Sequence, residues 1–202
     1  MRHPQQDVAV GTKGERTRQA LVNVAIARFG RDGYRRTSVA EITRDAGLSG
    51  PAAYVYFPNK ESLFVAAVDE DAAAVIEEGL DSLAGDKGTV RWRRALIATM
   101  LESVDHHPLA RRVLAGLEPE FTVRLLNVPA LEQMRKVCGE RVRSRQLAGH
   151  VSSDIDAFKV GSGLVTVVLS LLMSLIQMDI EPSTFLGPDV AAFVDAALGP
   201  NV

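Results

Sequence analysis

The side chains able to do chemistry are scattered along this chain. Cys138 is the single cysteine, which rules out an internal disulfide and any cysteine-based metal cluster. His106 and His107 are adjacent, so on a helix they point about 100° apart and cannot share a metal by themselves. With Glu102 and Asp105 nearby they read as a conceivable metal site or, more simply, as a solvated helix end. No glycine-rich phosphate loop, Ser nucleophile motif or acid/base pair emerges. We therefore assign no catalytic residue, no metal and no cofactor, and an α-helical enzyme is the alternative class.

The informative stretch is TSVAEITRDAGLSGPAAYVYFPNK, from Thr37 to Lys60. It reads as two short helices around a tight turn. Ser38-Val39-Ala40-Glu41 has capping-box spacing, in which the Ser hydroxyl and the Glu carboxylate satisfy each other's backbone donors. In Ala46-Gly47-Leu48-Ser49, Gly47 supplies positive φ, Leu48 plugs the angle between the helices and Ser49 caps the next one. Pro51 suits a first helical turn, and Phe57-Pro58 closes the helix after about two turns. Helix, turn and short helix is the helix-turn-helix pattern, whose use is to present one helix to a DNA major groove. An ordinary helical hairpin shows the same pattern.

Charge supports the first reading. The formal net charge is −2, but residues 1–68 hold ten Lys/Arg against six Asp/Glu, while residues 69–202 hold thirteen against nineteen. A positive front and a negative rear suggest that only the first part meets a polyanion.

The remaining elements must position this unit. Residues 1–11 lack periodicity and read as a flexible arm. Thr12-Lys13-Gly14-Glu15 is a second capping box, opening a helix to about Phe29 that Gly30 or Gly33 ends. After Lys60 a long helix runs to about Leu83. Thr89 caps one to about His106, and Pro108 opens one to about Leu117. Pro119 and Pro129 punctuate two more, the second reaching about Leu147. A helix from Asp154 to about Met178 and a last one from Pro188 complete an all-α fold. The domains are then 12–58 for DNA and 59–202 for an effector and for dimerisation. Val160 to Met178 are nineteen consecutive uncharged residues. That length admits a membrane span, but three serines, a threonine, a glutamine and two glycines argue for a buried helix, with no membrane. No export signal is apparent at the N-terminus, which with the lone cysteine suits the cytoplasm.

From about Arg18 to Leu63 the chain resembles the DNA-binding domain of the TetR (tetracycline-repressor-like) transcriptional regulators. The resemblance rests on Ala25 and Phe29, Gly33-Tyr34, Thr37-Ser38, Ile42, Ala46-Gly47-Leu48-Ser49, Tyr54, Tyr56-Phe57 and Lys60-Glu61-Ser62-Leu63. Thr43 and Arg28 depart from the usual pattern. The resemblance implies a repressor, a homodimer released from a near-palindromic double-stranded DNA operator by a small molecule. A regulator controlled by a protein partner is the other alternative within this class.

It also places Thr37, Tyr54, Tyr56 and Lys60 at phosphate-contacting positions, and Arg44 is a further candidate. Base contacts would fall to Ser49, Gly50, Ala52 and Val55. None of these is an Arg, Asn or Gln able to make a bidentate bond, so DNA shape or an arm carrying Lys13, Arg16 and Arg18 into the minor groove must help. Candidate pocket walls are Trp92, Ile97, Met100, Leu101, Phe121, Leu125, Leu126 and Met134, an apolar set that suits a hydrophobic or amphipathic effector. The dimer interface is expected at Gly161, Val165, Val168, Leu172 and Phe193. Cys138 reads as a small buried residue, and Arg141, Arg143 and Arg145 as a surface face.

Overall fold

The computed structural model describes residues 12–84 and 99–179, and among these all regular structure is helical. The arm at 1–11, Trp92, Ile97, Phe193 and the expected last helix lie outside the described residues.

Helix α1 (Lys13–Asp32) opens on the capping box, with the Thr12 N–H donating to Glu15 at 2.6 Å. It closes at Gly33, whose φ of 83° is available to glycine at little cost. Ser38 and Glu41 cap α2 (Val39–Asp45) in the same reciprocal way. Gly47, at φ 70°, turns the chain toward α3 (Ala52–Tyr56), which ends where Phe57 goes extended before Pro58. The expected cap from Ser49 is absent, because α3 begins one residue after Pro51 and no side chain caps it. Asn59 instead caps α4 (Lys60–Ala84), accepting from the Ser62 N–H at 2.8 Å.

These helices close around Leu21, Val22, Ala25 and Phe29 of α1, with Ile42, Ala53, Phe57, Leu63 and Phe64. Each buried Val, Leu, Ile or Phe side chain among them contributes about 2 kcal/mol. Thr43 is buried without harm, since its hydroxyl donates to the Val39 carbonyl at 2.7 Å.

In the second part, residues 99–104 are helical (α5). Then follow α6 (Pro108–Leu114), a 3-10 turn (Pro119–Phe121), α7 (Thr122–Leu125), α8 (Pro129–Leu147) and α9 (Ala157–Met178). Helix α6 stops short of the expected Leu117, and Gly116 follows with φ 72°. Helix α9 starts later than expected, because the Asp156 carboxylate caps the Phe158 and Lys159 N–H groups.

Helices α8 and α9 form a hairpin whose crossing corrects the expected dimer residues. A Cβ on Gly161 would lie 2.4 Å from the Gly139 backbone nitrogen, so glycine is required there by a neighbour in the same chain. Val165, Val168 and Leu172 are buried within the chain as well. The outer row of α9 is Gly163, Thr166, Val167 and Ser170. Among the described residues α9 is long and apolar enough to cross a membrane, but its buried row packs on α8. On α8, Arg143 is exposed as expected, whereas Nε and one terminal nitrogen of Arg145 are buried.

Candidate nucleic-acid interface

Helices α2 and α3 are held in place from behind by α1. Arg28, on α1, donates from Nε to Asp45 at the end of α2 at 2.7 Å. Leu48 packs partly buried in the angle between the helices, as expected. The exposed face beyond carries Ser49, Gly50 and Val55, the last 79% exposed, with Ala52 half-buried beside them. The face expected to read bases is thus small and mostly apolar, without a side chain able to make a bidentate bond.

The residues expected to grip phosphates divide. Tyr54 is 57% exposed and the Arg44 side chain 72%, so both can reach a backbone. Tyr56 is half-buried against the core, with its hydroxyl near Gly14. Thr37 is a correction: its buried hydroxyl donates to the Gly33 carbonyl at 2.9 Å and has no proton left for a phosphate. Lys60 is turned inward, its ammonium 4.4 Å from the centre of the Tyr34 ring and 3.5 Å from the Arg35 carbonyl. Burial lowers its pKa.

Two residues missed from the sequence share this groove. Arg35 and Arg36 line it with Thr37, Ser38, Tyr54, Asn59 and Lys60, enclosing about 530 Å³ of open space. Both arginines are exposed, and the Arg-Arg pair after Gly33-Tyr34 was the available signal. On the expected arm, Lys13 and Arg16 are exposed on the first turn of α1, but the Arg18 guanidinium lies 5.2 Å from the Phe57 ring centre. Arg18 is exposed all the same, and a surface contact of this kind is worth only about 0.5–1 kcal/mol.

Behind this surface the two parts are joined by specific contacts. A Cβ on Gly30 would meet Pro108 at 2.8 Å, so α1 and the start of α6 touch backbone to backbone. Glu118, buried, accepts from the Tyr34 N–H at 3.0 Å and from Arg112 Nε at 2.7 Å. Phe29, Tyr34, Phe64 and Phe121 stack edge-on or tilted between them.

Deeper in the second part, Met100, Leu125 and Met134, three of the candidate pocket walls, line a small apolar cavity of about 40 Å³. Phe121 instead belongs to the aromatic cluster, Leu101 packs on the core without lining the cavity, and Leu126 is exposed. Their places are taken by Ala72, Val75 and Ile76 of α4, Ala110 and Leu114 of α6, and Val165, Val168 and Leu172 of α9. Cys138 is buried, and burial pushes its thiol up to about 11. His107 is no solvated helix end; it lies between Asp71 and Glu78.

A three-helix head with an exposed helix-turn-helix, seated on a helical body, defines a DNA-binding transcriptional regulator. Residues 21–67 match the family model described as bacterial regulatory proteins, tetR family. The HTH-type transcriptional regulator YdgC of Bacillus subtilis is 25% identical over 194 residues, covering 89% of this chain and 91% of its own. A TetR-family transcriptional regulator from Mesorhizobium loti superposes with a TM-score of 0.66 at 23% identity, covering 93% of this chain and 96% of its own. The fatty acid degradation regulator FadR from Bacillus halodurans gives 0.65 at 14% identity, covering 93% and 95%. Residues 21–67 thus match the DNA-binding part of the TetR family, and the fold of the described residues is similar to that of its solved members.

Proposed function

We propose that this protein is a homodimeric repressor that a hydrophobic or amphipathic small molecule releases from a near-palindromic operator. The observation that carries this reading is the position of α6. Its residues Ala110 and Leu114 wall the apolar cavity, and its first residue, Pro108, bears on Gly30 of the head. A molecule entering the cavity must push its walls apart, α6 among them, because about 40 Å³ is far below the roughly 300 Å³ of a typical ligand site. Met100 and Met134 are the walls best able to yield, having unbranched side chains. The name of the FadR neighbour, a fatty acid degradation regulator, agrees with a lipophilic effector.

Two copies are needed to span successive major grooves about 34 Å apart. The outer row of α9, with Val167 and Thr166, is the surface we assign to that contact. Contacts to phosphate come from Arg35, Arg36, Arg44 and Tyr54, and the bases are read by Ser49, Ala52 and Val55 together with DNA shape.

Selection of bound sequences from random duplex DNA with the purified protein tests the reading. A palindromic site bound with steep salt dependence supports it, and no enriched site sinks it. Thermal shifts and release of the selected duplex with a panel of lipophilic compounds then test the effector.

A further inference from the structure

His107 sits just before α6 and directs both ring nitrogens at carboxylates of α4. Nδ1 lies 2.9 Å from Asp71 Oδ1, and Nε2 lies 3.3 Å from Glu78 Oε1. A carboxylate only accepts, so both contacts are satisfied together only when both nitrogens carry protons. The carboxylates also take opposite edges of the ring, which suits a bridging imidazolium and not a shared cation.

Asp71 does more than face the ring. It is buried, and its other oxygen accepts from the Leu109 N–H at 2.9 Å and the Ala110 N–H at 2.8 Å. No side chain of α6 or of His107 caps this helix. The first turn of α6 is therefore held by a carboxylate from α4 whose negative charge the His107 ring balances. Between them stands Pro108, the residue pressed against Gly30 of α1.

We propose that His107 is a proton-operated clamp between the body and the DNA-binding head. As an imidazolium it ties Asp71 and Glu78 to the start of α6 and seats Pro108 on Gly30. On losing a proton it keeps the shorter, buried bond to Asp71 and lets go of Glu78, whose side chain is half exposed. The seat of α6 on the head loosens as a result. The consequence for DNA binding rests on the proposed function; the clamp itself does not.

The electrostatics agree. Burial pulls the His107 pKa down, but the hydrogen bonds and charges of Asp71 and Glu78 more than offset it, leaving it above the ordinary value. Among the described residues these two carboxylates are the charged groups acting on the ring, while Ser103 and, more weakly, His106 act on Glu78. A group whose pKa rises on folding stabilises fully below its unfolded value of about 6.5 and loses that contribution as pH climbs through the folded value.

The test uses the whole protein without DNA, so it stands apart from the operator selection. Histidine ring signals are followed by NMR from pH 5.5 to 9 in the wild type and in Glu78→Gln. In parallel, amide exchange at Leu109, Ala110 and residues 27–33, corrected for its intrinsic pH dependence, is measured in the wild type and in His107→Gln. We expect His107 to titrate above a peptide histidine and Glu78→Gln to bring its midpoint down. Protection of those amides should fall across the wild-type midpoint, by up to about tenfold per pH unit separating folded and unfolded values. No such step should appear in His107→Gln. A midpoint at or below the peptide value, or protection that ignores the titration, overturns the clamp.

Discussion

Gly30 of α1 lies against Pro108 at the head of α6 with no room for a methyl group. A Cβ on residue 30 would fall 2.8 Å from the Pro108 Cβ and 3.0 Å from its carbonyl carbon. In an exposed helix Gly→Ala gains about 1 kcal/mol. Here the obstacles are a rigid ring and backbone, and overpacking of this kind costs about 1–3 kcal/mol. We expect Gly30→Ala to lower the urea midpoint despite the better helix former. A rise in the midpoint would show that α1 and α6 are free to separate.

Glu118 is the second tie between the two parts. Removing one member of a buried ion pair costs roughly 3–5 kcal/mol, because the partner is left desolvated. Glu118→Ala should approach that range, since both Arg112 and the Tyr34 N–H lose their acceptor. Once Glu118 is gone, Arg112→Ala should cost little more. A double-mutant cycle by chemical unfolding measures this, and strict additivity would refute a direct pair.

Much of the head was readable in advance, because its signals are local. Both capping boxes, Gly47 and Phe57-Pro58 set element ends through contacts within a few residues. What the sequence could not reveal depends on neighbours distant in the chain. Nothing in Asp69-Glu70-Asp71 marks the third as the buried cap of α6. Nothing about Thr37 or Lys60 shows that one hydroxyl is spent on Gly33 and that one ammonium lies on Tyr34. Helix α9 carries no charge from Val160 to Met178, so only Thr166 and Ser170 mark the row left outside from the row that meets α8. The sequence leaves Gly161 open to a second copy, whereas its neighbour is Gly139 of the same chain.

Arg35 and Thr37, two residues apart, should behave differently on mutation. Arg35→Ala and Arg36→Ala should each weaken binding to any duplex and reduce the slope of log K against log salt by about 0.9, with stability unchanged in Arg35→Ala and slightly lowered in Arg36→Ala, which loses the bond from its Nε to the Asp32 carbonyl. Thr37→Val should cost about 1 kcal/mol of stability by losing its bond to Gly33, with the salt slope unchanged. Fluorescence anisotropy at several salt concentrations, beside thermal melts, separates the two effects. An unaltered slope in both arginine variants would remove them from the interface.

Cys138 should be silent toward thiol reagents. With its pKa pushed up to about 11, only about a thousandth of the thiol is ionised at pH 8, and burial blocks access besides. Labelling of the native protein should proceed at the rate of unfolding, while denatured protein reacts at once. Rapid native labelling would show that the thiol is accessible and ionised in the folded protein.

The ring cluster of Phe29, Tyr34, Phe64 and Phe121 has a consequence for anyone wishing to transplant the head. Phe64 and Phe121 approach to 4.3 Å, and Tyr34 and Phe121 to 5.0 Å. Residues 12–58 lifted out alone would therefore carry Phe29 and Tyr34 without the two rings that cover them. A chimera that borrows this reading head should bring along Phe64 and the segment from Glu118 to Phe121, or supply a recipient with aromatic rings at the matching places.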